Sequence, residues 1–408
     1  MEFDVAIVGG GPAGSTTAIA LAKAAPGRTI VLLEKATYPR EKYCAGALGG
    51  RGEKILAELD ASPKVPSVPL EGISFRGLGG ERKESVGSIG RVVRRAEFDH
   101  ALANIAASRG VTVAEGARVE AIDVEPAGSG DISRARARVT TSRGEYRARV
   151  VVGADGVGST VRKAMGHGAG RLRAQVLEVD TEPVPDDRAR SMLHFDLTDH
   201  SFSGYFWDFP TLVDGRALHC RGIYRILLNN EPVDLEHRLR ERLAHMGLDL
   251  SRYKQKRFAE RGYEPDLPLA TNHLMLVGEA AGIDPVTGEG IAQAIEYGAL
   301  AGPFLADVLA GRAVLPSWSD VVRRSRLGWD LRKRTRMLPH FFGELRAVSE
   351  RFLVGSGGSP LRTGIRHFAG HRQSAADMAV SVMGAGAHYM AMRLGERSRP
   401  AIPAGDRD

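Results

Sequence analysis

The protein has 408 residues and a formal net charge of +7, with 43% hydrophobic and 26% charged residues. This length predicts more than one domain, and the composition is that of a globular protein in which no segment approaches the roughly 20 uninterrupted apolar residues of a membrane span. The two cysteines, Cys44 and Cys220, have no metal-ligand spacing, so neither a disulfide framework nor a metal site is predicted. The first residues lack the charged lead and cleavage site of a signal peptide, which predicts a cytoplasmic protein.

The first elements of the sequence follow the order strand, glycine turn, helix, strand. Residues 3–8 form a short apolar run that ends at GGGPAG, a helical pattern follows over 15–25, and TIVLLE is a second apolar run. Gly9, Gly11 and Gly14 fit the motif G-x-G-x-x-G. Glu34 ends the second apolar run, 20 residues after Gly14, which is the spacing that dinucleotide-binding units use. These features together predict a dinucleotide-binding unit.

Each residue of this motif has a physical role in such a unit. Gly9 permits the tight turn, Gly11 lets the backbone approach a pyrophosphate, and Gly14 brings the helix against the strand. The phosphates then meet the free N–H groups and the dipole of the helix N-terminus. Glu34 is expected to accept hydrogen bonds from ribose hydroxyls.

Two later segments have a similar form. ARVVVGADGVGSTVR, residues 148–162, is an apolar strand that runs into a glycine-rich turn containing Asp155 and Gly156. LMLVGEAAGIDPVTGEGI, residues 274–291, is again a strand that enters a glycine-rich turn before a helix. Both are predicted to contact a nucleotide.

The three segments, in this order, resemble the flavoprotein monooxygenase and reductase superfamily that binds FAD in a fold like p-hydroxybenzoate hydroxylase. The resemblance implies an α/β fold with a Rossmann-like FAD-binding domain, an inserted β-sheet substrate domain and a C-terminal helical region. In this superfamily the third segment carries Gly-Asp, whereas Gly278 is followed here by Glu279, one methylene longer. The implied FAD-binding domain covers 1–65, 90–165 and 265–310, the substrate domain with an antiparallel sheet covers 66–89 and 166–264, and the helical region covers 311–408.

A fourth stretch, VVRRAEFDHAL, resembles the R-x-x-F-D-x-x-L motif of the same superfamily, with Arg95 and Asp99 at matching places. The resemblance implies that Arg95 lies along the flavin. A surface arginine at a helix start is the alternative interpretation.

Two stretches resemble the geranylgeranyl reductase branch of this superfamily. KYCAGAL, residues 42–48, is similar to its cysteine-containing segment beside the flavin, with Ala45 where glycine is usual, and GEAAGIDPVTGEGI matches closely. The resemblance implies that Pro285 to Gly290 turns beside the isoalloxazine and that the following helix points its N-terminus at the flavin. The predicted cofactor-binding residues are Gly9, Gly11, Pro12, Ala13, Gly14, Glu34, Lys35, Cys44, Ala45, Arg95, Asp155, Gly156, Gly278, Glu279, Pro285, Gly288, Gly290 and Ile291.

The stretch GYFWDFP, residues 204–210, is similar to the Y-x-W-x-F-P motif of these reductases. Alternation along a strand puts Tyr205, Trp207 and Phe209 on one face, which could line an apolar tunnel over the flavin or pack into the core. With Pro210 they are the predicted substrate-binding residues. The same letters also fit a looser halogenase pattern, for which Lys83, in a polar turn, is the nearest candidate lysine.

The C-terminal part is helical in pattern. One stretch with a helical pattern contains seven cations: Arg323, Arg324, Arg326, Arg332, Lys333, Arg334 and Arg336. A solvated helix face competes with attraction to anionic lipid or a phosphorylated cofactor, and nucleic acid is not expected. The apolar stretch 374–392 is interrupted by charge and predicts a packed helix; membrane contact is expected to be peripheral at most.

The resemblance implies that FAD is reduced by NAD(P)H, a ferredoxin or a partner reductase, and then acts on a hydrophobic or lipid substrate by C=C reduction. Cys44 is the candidate proton donor or flavin-adjacent modulator, because a thiol is mostly protonated at neutral pH; a small buried apolar role is the alternative. A monooxygenase or halogenase that tailors an aromatic or prenylated metabolite is the second hypothesis, and a flavin-binding protein without catalysis is the third.

Overall fold

The computed structural model describes residues 1–125, 137–228, 232–355 and 359–371. Its strands are β1 (Glu2–Val8), β2 (Ile30–Leu33), β3 (Ala47–Gly49), β4 (Ser67–Gly77), β5 (Gly80–Val93), β6 (Thr112–Ala114), β7 (Val119–Val124), β8 (Ala137–Thr141), β9 (Gly144–Gly153), β10 (Arg173–Thr181), β11 (Met192–Asp196), β12 (Gly204–Val213), β13 (Arg216–Ile226), β14 (Lys256–Arg261) and β15 (Leu274–Leu276). Its helices are α1 (Pro12–Ala24), α2 (Gly50–Glu58), α3 (Arg95–Ser108), α4 (Thr160–Ala164), α5 (Leu235–His245), α6 (Ile291–Leu309), α7 (Trp318–Arg324), α8 (Arg326–Phe342), α9 (Arg346–Gly355) and α10 (Ser359–Phe368).

The first sheet has a parallel centre in the order β6-β2-β1-β9-β15. β8 and β7 extend it as antiparallel strands alongside the first half of β9. All four residues of β2 are buried, so both faces of this strand are covered, as its continuous apolar sequence requires. The Rossmann-like part of the predicted α/β fold is thereby confirmed.

The second sheet has the order β14-β10-β13-β12-β11-β4-β5-β3. Its neighbours are antiparallel except for β4 and β11, which pair in parallel. One face packs on α5, where Phe206 and Ile223 join Leu239 and Leu243 in a buried cluster. The opposite face looks toward the first sheet and the C-terminal helices.

The second sheet uses more of the sequence than the predicted boundaries gave it. β3, at Ala47–Gly49, and the end of β5, up to Val93, lie within the stretches predicted to be FAD-binding, yet they pair in the second sheet. Ala47 of β3 pairs with Val92 of β5 in the antiparallel ladder of the second sheet. The chain therefore leaves the first sheet after β2 and enters the second sheet at β3. Lys83, predicted to lie in a turn, is in β5, and its side chain is exposed beside Glu81.

The C-terminal region is helical, as predicted, but its basic stretch is not one helix. α7 and α8 are separate, because Ser325 is extended and its hydroxyl caps the second helix by accepting the N–H of Gly328. Arg334 does not share a solvated face with the other cations, since it forms ion pairs with Asp284 and Glu289. Among the described residues no helix is long and apolar enough to cross a membrane. The stretch 374–392 lies outside the described residues.

Candidate active site

A cavity of about 1600 Å³ runs from the glycine turn after β1 to the aromatic face of β12. Its walls come from both sheets, from the segments 40–47 and 154–158, from the loop between β15 and α6, and from α8, α9 and α10. Pockets for small molecules are typically about 300–1,000 Å³. The cavity therefore has room for a dinucleotide cofactor and a second molecule.

The glycine turn has the close approaches that its motif predicts. Gly9 has φ +103°, and a Cβ there would lie 2.4 Å from the Ala154 carbonyl oxygen; a Cβ on Gly14 would lie 1.9 Å from the Gly9 oxygen. Gly14 does not line the cavity and acts by packing the helix against the strand, whereas Gly11 and Pro12 line it. α1 begins at Pro12, earlier than predicted, because proline suits the first helical position. This N-terminus has no hydrogen bond from a capping side chain, which leaves N–H groups for a phosphate.

Glu34 lies at the end of β2 as predicted and lines the cavity. Its carboxylate accepts the N–H of Gly10 at 3.0 Å and of Ala36 at 3.1 Å. Arg40, which sequence reasoning missed, lies 3.1 Å from the same carboxylate and 3.1 Å from Asp99. Lys35 also lines the cavity but is exposed. This corner therefore offers an acid and a cation together to a nucleotide.

Arg95 lines the cavity from the first turn of α3. Its guanidinium donates to both carboxylate oxygens of the fully buried Asp99, at 2.7 and 2.8 Å. Burial works against the positive charge, but Asp99 outweighs it, and the pKa of Arg95 is raised above its ordinary value. The arginine is a fixed cation of the cavity wall, not a freely solvated surface residue.

Asp155 and Glu279 each place a buried carboxylate oxygen in the cavity wall, Oδ1 and Oε1, that has no hydrogen-bond partner among the described residues. The other oxygen of Asp155 accepts the N–H of Thr160 at 2.6 Å. Burial raises the pKa of both acids. Glu279 Oε2 lies 3.3 Å from the place a Cβ on Gly156 would take, so the longer acid still reaches the Asp-Gly turn. Carboxylate oxygens without a partner can accept hydrogen bonds from the hydroxyl groups of FAD.

The loop before α6 is divided between cavity contacts and packing. Gly288, Gly290 and Ile291 line the cavity, and Gly290 is the N-cap of α6, where no side chain bonds to the free N–H groups, as the helix prediction requires. Gly278 and Pro285, predicted to bind the cofactor, do not line it. A Cβ on Gly278 would lie 2.6 Å from Ala13 Cβ, so this glycine serves the packing of the loop on α1.

Cys44 and Ala45 line the cavity between the two sheets. The backbone N–H of Cys44 donates to Glu178 Oε1 at 3.1 Å, and the thiol sulfur accepts the N–H of Gly46 at 3.4 Å. Burial raises the pKa of the Cys44 thiol, although nearby Arg95 opposes the shift. The side chain is therefore a neutral thiol at neutral pH.

The aromatic strand has the predicted alternation. Tyr205, Trp207 and Phe209 line the cavity, whereas Phe206 packs with α5 on the opposite face. Pro210 shares that opposite face and is outside the cavity lining, so its predicted contact with substrate has no geometric support. Tyr205 also holds the loop before α6, because its hydroxyl donates to the Thr287 carbonyl oxygen at 2.5 Å.

Several cavity residues were not predicted. Tyr224, across from Tyr205 in β13, stacks on it with ring centroids 5.1 Å apart and donates to the Pro285 carbonyl oxygen at 3.0 Å. Its signal was the apolar alternation of β13. Glu260 of β14 also faces the cavity and had no sequence signal. The C-terminal region supplies much of the apolar wall, in particular Phe341, Phe342, Leu345, Phe352, Leu361 and Ile365.

One cluster outside the cavity has metal-ligand chemistry, formed by Asp187, Asp208 and His219. The guanidinium of Arg221 contacts both carboxylates, and His219 Nδ1 lies 2.7 Å from Asp208 Oδ1. Arg221 thus already places a positive charge beside both carboxylates.

Comparisons with known proteins agree with this geometry. The family model described as FAD binding domain matches residues 2–317. A digeranylgeranylglycerophospholipid reductase of Methanothrix thermoacetophila is 30% identical over 332 residues, which cover 76% of this chain and 79% of the relative. The chain belongs to the geranylgeranyl reductase family of FAD-dependent oxidoreductases. A second relative, a menaquinone reductase of Mycobacterium tuberculosis, is 28% identical over 367 residues, which cover 83% of this chain and 84% of the relative.

Solved structures show how widely this fold is shared. A geranylgeranyl bacteriochlorophyll reductase-like protein of Thermoplasma acidophilum has a TM-score of 0.69 at 22% identity and covers 97% of this chain and 99% of its own. The halogenase PltM also has a TM-score of 0.69, at 15% identity, and covers 98% of this chain and 93% of its own. At these identities the likeness shows the fold alone. The predicted α/β fold and FAD-dependent oxidoreductase class of this geranylgeranyl reductase family member are confirmed.

Proposed function

We propose that this FAD-dependent oxidoreductase reduces carbon–carbon double bonds of an isoprenoid that lies against the aromatic face of β12. The observation that carries the proposal is that one cavity is lined both by the nucleotide-binding turns and by the aromatic face of β12 with the apolar side chains of the C-terminal region. A long, flexible apolar molecule fits such a tunnel because aromatic side chains offer broad contact area at low entropic cost. The relatives named as reductases of prenylated lipids and of menaquinone support this substrate class.

The residues divide into a cofactor end and a substrate end. Gly11, Glu34, Arg95, Asp155 and Glu279 would hold FAD, and FAD supplies a hydride when it is bound and reduced. Binding fixes the reacting groups near each other, which replaces an encounter in solution.

The substrate end is closed by the C-terminal helices. Trp207 and Phe209 of the sheet line the tunnel together with Phe341 and Phe352 of the helices, and these side chains keep bulk water from the reacting carbons. Cys44 contributes a neutral thiol on the flavin side, close to Arg95. It can donate a hydrogen bond or a proton there.

The reductant is proposed to be NAD(P)H, a ferredoxin or a partner reductase. A lipid substrate would be collected by peripheral contact, for which the cations of α7 and α8, among them Arg323 and Arg324, supply attraction to an anionic surface.

Anaerobic turnover tests the proposal. The FAD-loaded protein is reduced with dithionite under argon and mixed with a digeranylgeranylglycerophospholipid, and the products are measured by mass spectrometry. We expect a mass gain of two hydrogen atoms for each saturated double bond. If no alkene is saturated without oxygen, but oxygen is consumed with a prenylated aromatic substrate, the protein is instead a monooxygenase or halogenase.

A further inference from the structure

Glu260 is a carboxyl group of the cavity wall that the proposed function leaves without a role. It lies in β14, and its alternation partner Phe258 faces the cavity with it. The Oε2 atom is buried and has no hydrogen-bond partner among the described residues. A buried carboxyl oxygen left unsatisfied is costly unless it meets a ligand or serves in chemistry.

The position of this oxygen is defined by the loop before α6. Gly288 has φ +66°, and a Cβ there would lie 2.7 Å from Glu260 Oε2 and 3.2 Å from the ring of Tyr224. Glu260, Gly288 and Tyr224 therefore meet at one point of the wall, where the loop leads into the N-terminus of α6. This is the junction of the cofactor end and the aromatic tunnel.

The two tyrosines at this junction are already engaged. The Tyr205 hydroxyl donates to the Thr287 carbonyl oxygen and the Tyr224 hydroxyl to the Pro285 carbonyl oxygen, so neither proton points at a substrate. Burial, with nearby Glu260, raises the pKa of both tyrosines well above the ordinary value. Besides the two tyrosines, the described acidic groups of the cavity wall with a raised pKa are Cys44, Asp155, Glu260 and Glu279. Asp155 and Glu279 are assigned to FAD, which leaves the Cys44 thiol and the Glu260 carboxyl as proton donors.

The surroundings of Glu260 favour its neutral form. Burial is the main cause that raises its pKa well above the ordinary value, and Glu279 is the next. The other titratable groups that act on it are Lys42, which opposes the shift, Asp284 and Glu178, which add to it, and Tyr205, Tyr224 and Cys44, which it influences in turn. The neutral carboxyl carries a proton that it can donate, and its Oε2 atom has no hydrogen-bond partner among the described residues.

We propose that Glu260 is the proton donor to the substrate double bond, an inference that rests on the proposed function. The proton leaves Glu260 and forms a C–H bond at one alkene carbon, while the other carbon receives the hydride from the reduced flavin. The π bond is lost, the alkene gains two electrons and the flavin loses two. Glu260 is left as a carboxylate and takes up a proton from water that enters after product release.

The pH profile of alkene reduction separates this donor from Cys44. Rates are measured anaerobically with a digeranylgeranylglycerophospholipid for the FAD-loaded wild type and for Glu260→Gln, Glu260→Asp and Cys44→Ser. In the wild type the rate should fall as pH rises and Glu260 loses its proton. Glu260→Gln should be slower by about 100-fold or more and lack this fall, whereas Glu260→Asp should regain part of the rate together with the fall. Cys44→Ser should keep the fall.

Two outcomes overturn the inference. One is a Glu260→Gln enzyme with wild-type rate and wild-type pH profile. The other is that Cys44→Ser, and no Glu260 variant, loses the decrease in rate at high pH, which assigns the proton to Cys44. Failure of the proposed function looks different, because then the wild type saturates no alkene at any pH. Glu145→Gln, an exposed acid of β9 outside the cavity, is the matched control and should match the wild type.

A spectroscopic readout tests the protonation state without turnover. Infrared difference spectra between wild type and Glu260→Gln, recorded at neutral pH on the protein without substrate, should contain the carbonyl band of a protonated carboxyl group. FAD affinity, measured by flavin fluorescence, should be the same in the two proteins if the variant folds. A carboxylate band in place of the acid band would overturn the inference, whatever the rates.

Discussion

At Cys44, a buried carboxyl holds the backbone of the segment that carries the thiol. Glu178 accepts the backbone N–H of Cys44, and its second oxygen lies 3.5 Å from the sulfur of Cys220. Burial raises the pKa of Glu178 to about 7, although Lys256 opposes the shift. The carboxyl therefore changes charge near neutral pH directly behind the Cys44 segment.

Glu178→Gln tests this charge change through stability. Because the pKa of Glu178 rises from 4.5 to about 7 on folding, its contribution to stability is fully present below pH 4.5 and is lost as pH rises through about 7. The variant lacks this loss. We expect its free energy of unfolding, relative to the wild type, to increase by up to ~3 kcal/mol across that range, measured by urea denaturation at several pH values.

Glu120→Gln, a change at an exposed acid of β7, is the control for this experiment and should give a flat difference. If Glu178→Gln is equally flat, the carboxyl of Glu178 has an ordinary pKa and does not couple pH to the Cys44 segment.

Residues differ in how far the sequence could place them. Gly9, Gly11 and Glu34 belong to one strand–turn–helix unit, so their spacing was sufficient to put them at the cavity. Glu178 and Glu260 lie on antiparallel strands, β10 and β14, where the local sequence does not tell a buried or cavity-facing acid from a solvated one. Only the pairing of these strands with β13 and with each other decides it.

At the scale of elements, strand register rather than strand identity sets the shape of the tunnel. Alternation in β12 was enough to predict which face holds Trp207. It could not predict that Trp207 pairs with Gly222 of β13, because register follows from partner strands and turns. The ring lies over this glycine, and a Cβ on Gly222 would come 2.2 Å from an indole carbon.

Gly222→Ala should therefore displace the Trp207 ring into the tunnel. We expect the proposed isoprenoid substrate to bind about tenfold more weakly, since overpacking of this kind costs ~1–3 kcal/mol, while FAD affinity stays the same. Titration of each ligand by protein and flavin fluorescence measures the two affinities separately. Gly168→Ala is the control, because no atom lies within 4 Å of an added Cβ there. If Gly222→Ala weakens the binding of both ligands equally, or of neither, then β12 and β13 have only a structural role at this position.

At the scale of the whole molecule, the C-terminal helices complete a cavity that the two sheets leave open. The sequence predicted that this region is helical but not what it covers, because an amphipathic helix shows which face is apolar and not which surface buries it. Arg334 adds a polar tie, pairing with Asp330 in its own helix and with Asp284 and Glu289 in the loop before α6. Ion pairs of Arg334 thus connect α8, which covers the cavity, to the loop before α6 at the cofactor end.

Arg346 connects α9 to the segment between β11 and β12 of the second sheet. Its guanidinium donates to the carbonyl oxygens of Leu197 and Phe202 at 2.5 and 2.6 Å, and it pairs with the buried Glu350 at 2.8 Å. Removing one partner of such a pair costs roughly 3–5 kcal/mol. We expect Arg346→Met to let trypsin cleave readily within the residues that follow α8 and to lower the affinity for an isoprenoid substrate, with FAD still bound. Arg351→Met, at an exposed position of the same helix, should behave as wild type, and wild-type protease resistance of Arg346→Met would show that apolar packing alone holds the cover.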